Sequence, residues 1–378
     1  MKIGFDISQT GAGKTGCGYF AEGLIGAIGR LESGHEYFLY PAFGDAFWDP
    51  QCATATYSAN HPAFSRMKAP ATFEESKRFW RNSGGVPDFE ARIGSPDLIH
   101  SNNFFCPRGL TQARLVYTLH DLSFLVDPSW STEPNRAACL YGVFGASTNA
   151  DWIVANSDYT RRHFLEVFPH YPADRTAFVH ATSRYAAASP ASPRPERFAY
   201  LQPDGFWLSV GSLEPRKNQR RLVEAYMRIK SRLPLILAGG PGWLMEDFAD
   251  RQPPGVELAG YLPDTELEWL YRNCFGFVYP SLFEGFGMPV LEALSLGAPV
   301  ICSNTTSLPE VAGEAALLVD PLDVEALAAA MLRLEEKPVR ERLRSLAVRQ
   351  AQRFQWEASA RKLLAVYEEC ARREPWTR

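Results

Sequence analysis

The chain has 378 residues, of which 46% are hydrophobic and 22% are charged, and its formal net charge is −4. This composition is typical of a globular protein with about two domains, and the weak negative charge argues against a dedicated nucleic-acid-binding protein. The seven cysteines are scattered and form no Cys-x-x-Cys pair, which favours reduced thiols over a disulfide framework. There is no signal-peptide pattern and no uncharged apolar run near the ~20 residues of a membrane-spanning helix, so we expect a cytoplasmic protein.

Short apolar runs alternate with longer helical patterns along the whole chain. In the first half they predict strands at Ile3–Ile7, Tyr37–Tyr40, Leu98–Ser101, Leu115–Leu119 and Trp152–Ala155. In the second half they predict strands at Phe206–Val210, Leu235–Ala238, Val256–Leu258, Phe275–Tyr279, Pro299–Cys302 and Ala316–Val319. Continuous apolar strands separated by helices indicate parallel sheets covered on both faces, which is an α/β fold. A segment rich in Pro, Ala and Ser at 186–197 predicts a linker, so we place a domain boundary near residue 195.

A glycine-rich turn follows the first predicted strand. Gly11-Ala-Gly-Lys-Thr-Gly16 matches the dinucleotide-binding pattern G-x-G-x-x-G, but no strand ends in an acidic residue about 20 positions later. A Walker A loop would need a glycine where the chain has Ser8. The turn is expected to open a helix at Gly18–Tyr19. Two interpretations are open: the amides of the turn approach a phosphate or a sugar, or the segment is merely a tight turn.

His120 stands at the end of the predicted strand Leu115–Leu119 and precedes Asp121. Ligands of parallel sheets bind beyond the carboxyl ends of the strands, so this position suits a ligand-binding residue. The alternatives are a purely structural histidine and an aspartate that caps the following turn.

Two carboxylates lie eight positions apart in the stretch from Pro280 to Pro299. Glu284 falls in a predicted strand-to-helix loop, and Glu292 falls about one turn into the helix. A helix N-terminus attracts anions, and a carboxylate accepts hydrogen bonds from hydroxyl groups. The stretch therefore favours a ligand with phosphates at one end and a sugar at the other.

Arg216 and Lys217 lie in a loop after the predicted strand Phe206–Val210. Adjacent cations neutralise a diphosphate and stabilise it as a leaving group, whereas the alternative is a solvated pair. The chain has no Asp-x-Asp motif, so a divalent ion bridging a diphosphate would lack its usual ligands.

Taken in order, these segments resemble glycosyltransferase family 4, a family of retaining enzymes with the GT-B fold. Glu284 to Glu292 is similar to its E-x7-E motif, and Gly211-Ser-Leu-Glu-Pro-Arg-Lys-Asn218 to its diphosphate loop. Thr118-Leu-His-Asp-Leu122 resembles the His-Asp element, and Thr15-Gly-Cys-Gly-Tyr19 the N-terminal glycine loop. The chain departs from the common pattern at Ser212, where many members have an arginine.

The resemblance implies two Rossmann-like, doubly wound parallel-sheet domains that face a cleft. Residues 1–195 would bind the acceptor, residues 196–355 the nucleotide-sugar, and the last helix, 356–378, would return to the first domain. His120 and Glu284 would be catalytic, with Glu284 on the sugar hydroxyls and Glu292 on the ribose. The residues expected to bind the donor are Gly16, Gly18, Gly211, Arg216, Lys217, Tyr261, Leu262, Gly285, Phe286, Gly287 and Glu292. Replacing Glu284 is expected to lower turnover with little loss of fold.

The function implied is that of a retaining, metal-independent glycosyltransferase without a cofactor. The combination of the Arg-Lys loop with the His-Asp element resembles the branch that transfers mannose from GDP-mannose to a glycan or lipid-linked acceptor of O-antigen and surface polysaccharide. The alternatives are a UDP-glucose-type donor, a GT-B nucleotide-sugar epimerase and a non-catalytic nucleotide-binding protein. The basic and aromatic segment Phe73–Arg81 suggests peripheral contact with the inner membrane face, although an ordinary helix with core-facing Phe79 and Trp80 is the alternative.

Overall fold

The computed structural model describes the chain except residues 12–13, 42, 44–62, 67–77, 83–84, 187–188, 246–247, 249–252 and 377–378. The chain forms two compact units. The first contains Met1–Leu125, Pro134–Thr182 and Gln355–Arg378, and the second contains Val126–Glu133 and Ser183–Phe354. The second unit therefore includes the segment predicted as a linker. Among the described residues, no helix has both the length and the apolar content required to cross a membrane.

The first unit is built on a seven-stranded parallel sheet. Its strands are β1 (Lys2–Asp6), β2 (Glu36–Tyr40), β3 (Phe64–Arg66), β4 (Leu98–Ser101), β5 (Arg114–Leu119), β6 (Trp152–Ala155) and β7 (Thr176–Phe178). Their order in the sheet is β3-β2-β1-β4-β5-β6-β7, and every pair is parallel. The direction of winding reverses between β1 and β4, so the switch point of this doubly wound sheet lies there.

The second unit is built on a six-stranded parallel sheet. Its strands are β8 (Trp207–Val210), β9 (Leu235–Ala238), β10 (Val256–Gly260), β11 (Gly276–Tyr279), β12 (Val300–Ser303) and β13 (Ala316–Val319). The order is β10-β9-β8-β11-β12-β13, with all pairs parallel. The switch point is between β8 and β11, the two strands that precede the Arg-Lys loop and the loop with Glu284.

Helices connect the strands of both sheets. In and beside the first unit they span Gly16–Gly29, Phe89–Arg92, Ser123–Val126, Glu133–Asn149, Asp158–Val167 and Trp356–Arg372. In the second unit they span Gln219–Ile229, Asp264–Asn273, Met288–Ser295, Leu308–Ala312, Val324–Glu335 and Lys337–Ala351. Single turns of 3₁₀ helix occur at Pro128–Trp130, Ala173–Arg175, Glu196–Phe198 and Pro215–Lys217.

The eleven predicted strands are all present; four have the predicted bounds, and the ends of the other seven differ by one or two residues. The sequence did not predict β3 and β7, because each has only three residues and gives no apolar run long enough to be distinguished from a loop. The predicted α/β class with two doubly wound parallel sheets is confirmed.

The last helix, Trp356–Arg372, belongs to the first unit. The Ser359 hydroxyl donates to the carbonyl of His180 at 2.7 Å. A Cβ at Gly23 would lie 2.2 Å from the indole of Trp356, so glycine at this position lets the helix Gly16–Gly29 pack closely against the start of the last helix.

The first helix begins at Gly16, earlier than the predicted start at Gly18–Tyr19. Thr15 has extended backbone and acts as the N-cap position, and the amide of Tyr19 donates to the carbonyl of Thr15. Gly16 and Gly18 lower the local helix propensity, so the sequence pattern predicts a start that is later than the observed one. A Cβ at Gly18 would lie 2.0 Å from the carbonyl oxygen of Gln9, so the protein's own packing requires this glycine.

Candidate functional site

Two loops meet at the switch point of the second sheet. The loop after β8 contains Arg216 and Asn218, and the loop after β11 runs from residue 280 to residue 287. The amide of Leu282 donates to the carbonyl of Arg216 at 2.8 Å. The side-chain amide of Asn218, which is buried, donates to the carbonyls of Pro280 at 2.9 Å and Pro321 at 2.7 Å. These bonds hold the carboxyl ends of β8, β11 and β13 in one fixed arrangement.

Glu284 is the centre of a hydrogen-bond network in this pair of loops. Its Oε1 accepts from Lys217 Nζ at 2.7 Å, from the Tyr279 hydroxyl at 2.8 Å and from the Ser281 hydroxyl at 2.6 Å. Its Oε2 lies 3.1 Å from Arg216 Nη1. Three donors fill the acceptor capacity of Oε1, so Oε2 is the oxygen that retains capacity for a further hydroxyl group.

The buried carboxyl of Glu284 is ionised at neutral pH. Burial alone would raise its pKa, but the positive charges of Lys217 and Arg216 and the hydrogen bonds outweigh burial and lower the pKa to about 2. The neighbouring Tyr279 hydroxyl has its pKa raised well above the usual value, chiefly by burial and then by the charge of Glu284. Tyr279 therefore remains a neutral donor beside the carboxylate.

The two adjacent cations have different surroundings. The Arg216 guanidinium donates to the carbonyl of Phe283 at 2.7 Å and to the buried carboxylate of Glu214 at 2.7 Å. Lys217 Nζ donates to Tyr279 and Glu284, and an ammonium group has three hydrogens, so its contacts with the described residues leave one donor for a ligand. Lys217 is therefore the cation whose geometry suits an added phosphate oxygen, and Arg216 chiefly supports the loop and the charge of Glu284.

The helix Met288–Ser295 begins directly after this loop. Gly287 is at its N-terminus with φ 108°, a conformation that L-residues with a side chain rarely adopt. A Cβ there would also lie 2.6 Å from Leu308 Cδ2. Phe286 is buried, with the centre of its ring 5.8 Å from that of Phe354.

Glu292 lies in that helix, four residues after its first residue, and is almost completely buried. Arg184 Nε donates to Oε1 at 2.6 Å and Arg184 Nη2 donates to Oε2 at 3.1 Å. The Tyr271 hydroxyl donates to Oε2 at 3.2 Å. Arg184 also donates from Nη1 to Asp264 Oδ1 at 2.7 Å. The carboxylate is thus held by a two-point arginine clamp and a tyrosine.

The remaining predicted donor residues of this unit lie at strand ends. Gly211 follows β8, and a Cβ at the neighbouring Gly239 would lie 2.0 Å from the Gly211 carbonyl oxygen. Tyr261 and Leu262 follow β10. The ring of Tyr261 is among the exposed large side chains, at 61%, whereas Leu262 is buried. Tyr261 is therefore available for contact with a ligand, whereas the side chain of Leu262 is not.

His120 lies beyond β5 in the first unit and is buried between the rings of Phe20 and Phe104. Its Nε2 donates to the carbonyl of Asn102 at 2.7 Å. Burial lowers the pKa of this imidazole, against the opposing effects of that hydrogen bond and of the nearby carboxylates. The ring is therefore neutral at pH 7, and its acceptor is Nδ1. Asp121 accepts from the amide and hydroxyl of Ser123, which confirms its predicted capping role.

Asn102 follows β4, and its own carbonyl, which accepts from His120, is held in place by hydrogen bonds between Asn102 and Asp6. Its amide donates to Asp6 Oδ2 at 3.1 Å and its side chain donates to the Asp6 carbonyl at 3.0 Å. Asp6, at the end of β1, is buried, and burial raises its pKa to about 6 against the hydrogen bonds from Ser8 and Asn102. The carboxyl ends of β1, β4 and β5 thus share one polar network at the switch point of the first sheet.

A second histidine extends this network to the last helix. His100 is completely buried, and burial lowers its pKa to about 3, so it is neutral. The Thr118 hydroxyl donates to Asn102 Oδ1 at 2.9 Å, so Thr118 must accept from His100 Nε2, 2.7 Å away. Nδ1 of His100 then accepts from the Tyr367 hydroxyl. The helix Trp356–Arg372 is therefore hydrogen-bonded to β4, the strand that lies beside β5, after which His120 follows.

Comparison with known proteins identifies the family. The model described as Glycosyltransferase Family 4 matches residues 32–181, and the model described as Glycosyl transferases group 1 matches residues 206–337. O-antigen chain mannosyltransferase B of Escherichia coli is 38% identical over 283 residues, which are 71% of this chain and 74% of that protein. The chain belongs to glycosyltransferase family 4. It is a glycosyltransferase, as the sequence motifs predicted.

Solved structures agree with this glycosyltransferase in fold. Sucrose-phosphate synthase from Thermosynechococcus elongatus has a TM-score of 0.71 at 20% identity and covers 98% of both chains. Anabaena Alr3699/HepE in complex with UDP-glucose has a TM-score of 0.69 at 18% identity and covers 98% of this chain and 100% of that one. The GT-B fold predicted from the sequence is confirmed.

The second unit of the glycosyltransferase brings most of the predicted donor residues to one edge of its sheet. Arg216, Lys217 and Glu284 are in direct contact. Glu292 is one helix turn further on, in contact with Arg184 instead. Gly16, Gly18 and His120 belong to the first unit. The individual roles assigned to all these residues stay predictions.

Sequence reasoning missed several residues of the glycosyltransferase that hold the predicted ones. They are Asp6, Asn102, Arg184, Glu214, Tyr271, Tyr279 and Ser281. Tyr279, Ser281 and Glu214 stand within or next to the recognised motifs, and their positions at strand ends were a usable signal. Arg184 is 108 positions from Glu292, and no spacing rule connects them. No cluster of three or more potential metal ligands occurs among the described residues.

Proposed function

We propose that this glycosyltransferase transfers mannose from GDP-mannose to a glycan or lipid-linked acceptor, with retention of anomeric configuration and without a metal ion or other cofactor. The observation that supports the proposal best is the ionised Glu284 held between Lys217 and Arg216 at the switch point of the second sheet. The 38% identity with an O-antigen chain mannosyltransferase supports mannose as the sugar.

Lys217 would hold the diphosphate with its remaining N–H group. A charge-assisted hydrogen bond of this kind strengthens as negative charge develops on the leaving group, which is the condition for catalysis. The N-terminus of the helix Met288–Ser295 adds a partial positive charge in the same unit. Protein groups thus supply the charge stabilisation that a divalent ion provides in other transferases.

Glu284 would accept a hydroxyl of the donor sugar through Oε2. Because Oε1 is fully occupied by protein donors, the carboxylate is fixed before the donor binds. A rigid acceptor orients the sugar without further loss of side-chain freedom on binding. Glu292 would accept a ribose hydroxyl, and the exposed ring of Tyr261 would lie along the base.

His120 is assigned the contact with the sugar near the reacting carbon that the family resemblance implies. Its neutral ring, with Nε2 bound to Asn102, would accept a hydroxyl proton at Nδ1 rather than donate one. Retention would follow a front-face route in which the leaving phosphate takes the acceptor proton. Asp6 and Asn102 would keep the imidazole in the required tautomer.

A lipid-linked acceptor would place the protein at the inner face of a membrane. In the segment suggested for that contact, residues 73–77 lie outside the described residues. Trp80 is buried in the core against Tyr40 and Phe43. The helix Glu133–Asn149 instead exposes Leu140, Tyr141 and Phe144, which supports this helix as the contact surface. Sedimentation with phosphatidylglycerol vesicles should recover the parent protein but less of a Phe144→Ser variant, and equal recovery would contradict the contact.

A donor panel tests the function. Purified protein in EDTA is incubated with GDP-mannose, UDP-glucose or ADP-glucose, with and without a lipid-linked acceptor extract. We expect acceptor-dependent transfer from GDP-mannose only. Preferential transfer from UDP-glucose would overturn the donor, and activity that EDTA abolishes would overturn metal independence. An epimerised sugar from donor alone, or no reaction with any donor, would favour an epimerase or a non-catalytic protein.

A further inference from the structure

We infer that Arg184 is a positioning residue for the nucleotide ribose. It clamps the Glu292 carboxylate in one orientation, so that a single acceptor position faces a ribose hydroxyl. The inference rests on the proposed function, in which Glu292 binds the ribose, and it adds a residue that no recognised motif contains.

The clamp has the geometry of a strong arginine–carboxylate pair. Nε and Nη2 of Arg184 reach the two different oxygens of Glu292, at 2.6 Å and 3.1 Å. Two parallel bonds fix the plane of the carboxylate as well as its position. The side chains of Glu292 and Arg184 are only 3% and 18% exposed, so water screens the pair weakly.

A count of acceptor positions shows what remains for a ligand. Each carboxylate oxygen accepts about two hydrogen bonds. Among the residues that the structure describes, Oε2 receives Arg184 Nη2 and the Tyr271 hydroxyl, whereas Oε1 receives only Arg184 Nε. One position is therefore left, on Oε1. A ribose hydroxyl bound there would gain a hydrogen bond to a preoriented acceptor without displacing a protein donor.

Arg184 is also held from its other side. Its Nη1 donates to Asp264 at 2.7 Å, and its guanidinium carbon lies 5.1 Å from the ring centre of Tyr185. The Asp264 side chain is 54% exposed, so this outer pair contributes little by itself. The bond to Glu292 is consequently the contact through which a change at Arg184 would reach a nucleotide.

The test compares the affinity of GDP with that of 2′,3′-dideoxy-GDP by isothermal titration. The ratio of the two dissociation constants isolates the ribose hydroxyls, because base and diphosphate are unchanged. The parent should bind GDP about tenfold or more tightly than the dideoxy form, the effect of one hydrogen bond to a charged group. In Arg184→Met and Arg184→Lys, the ratio should fall most of the way toward one. Lysine keeps the charge and the fold but lacks the two-point fork.

Arg272→Met is the matched control. Arg272 has a similar exposure, 17%, and pairs with Glu268 in the same unit. It also donates to the carbonyls of Ala186 and Ser189, so its loss loosens the segment after Arg184 without removing a donor to Glu292. It should keep the parent ratio.

Glu292→Gln separates the two possible failures. If the ratio of the two dissociation constants falls toward one in Glu292→Gln but stays at the parent value in both Arg184 variants, the positioning role of Arg184 is wrong and the ribose assignment stands. If Glu292→Gln keeps the parent ratio, the ribose assignment fails and the role of Arg184 fails with it.

Discussion

The replacement Glu284→Gln should destabilise the second unit, by an amount that depends on pH. The carboxyl is buried, and its pKa is about 2 in the folded protein against an ordinary value of 4.5. At about 1.4 kcal/mol per pKa unit, this difference corresponds to about 3 kcal/mol of unfolding free energy at pH 7. Glutamine has the shape of the protonated carboxyl and leaves Lys217 and Arg216 without their shared counter-charge.

The sign of the pH dependence follows from the direction of the pKa change. A carboxyl whose folded pKa is lowered binds protons first in the unfolded state as the pH falls. Its contribution is therefore present above about pH 4.5 and is lost progressively toward pH 2. Parent and Glu284→Gln should differ by about 3 kcal/mol at pH 7 and by much less at pH 3.

Urea unfolding followed by circular dichroism at pH 7, 5 and 3 provides the measurement. Glu325→Gln is the control, because Glu325 pairs with Arg228 while its side chain is 76% exposed, and its replacement should cost under about 0.5 kcal/mol. A loss of less than about 1 kcal/mol for Glu284→Gln at pH 7, or an equal loss at pH 3, would show that the ionised carboxylate does not stabilise the fold.

Three further changes test other parts of the structure. Lys217→Met should weaken GDP binding about tenfold or more, because it removes a charged donor. Isothermal titration measures this affinity. The control is Lys337→Met, at an exposed position, and this variant should bind GDP like the parent. Burial raises the Asp6 pKa from 3.8 to about 6, so the stability associated with its protonated form is present below pH 3.8 and is lost as the pH rises through 6. Relative to Asp6→Asn, the unfolding free energy of the parent should fall by about 2.5 kcal/mol between pH 4 and pH 8 in urea unfolding. An unchanged difference between the two proteins over this pH range would contradict the expectation. Gly287→Ala should lower the melting temperature, because position 287 has a positive φ and the added Cβ would clash with Leu308. Gly16→Ala should melt like the parent, because the added Cβ would meet no packed neighbour within 4 Å among the described residues. If a donor phosphate approaches Gly16, this variant should nevertheless lose turnover.

Much of the fold was readable from the sequence, because parallel strands buried on both faces leave continuous apolar runs. Eleven of the thirteen strands in the described part of the chain follow from that pattern and from the flanking glycines and prolines, as do the loop position of Glu284 and the helical position of Glu292. The start of the first helix was misplaced by two to three residues, because glycines at 16 and 18 weaken the local signal while tertiary packing requires Gly18.

Partners distant in sequence could not be predicted. The loop position of Glu284 suggested that it is replaceable without loss of fold, but the structure buries it between two cations and changes that expectation. Arg184 and Asn102 are in no motif, and they gain their roles only when the sheets bring remote strand ends together. Local patterns indicate which residues can bind a ligand, whereas the groups that hold them depend on tertiary contacts.

The most direct test of the central claim is the anomeric configuration of the product. GDP-mannose labelled with ¹³C at C1 of mannose is incubated in EDTA with the purified protein and the acceptor that the donor panel selects, and the product is examined by NMR. We expect a mannoside with the same configuration at C1 as the donor, formed at the same rate with or without EDTA. A product of inverted configuration, or a reaction that requires an added divalent ion, would contradict this expectation.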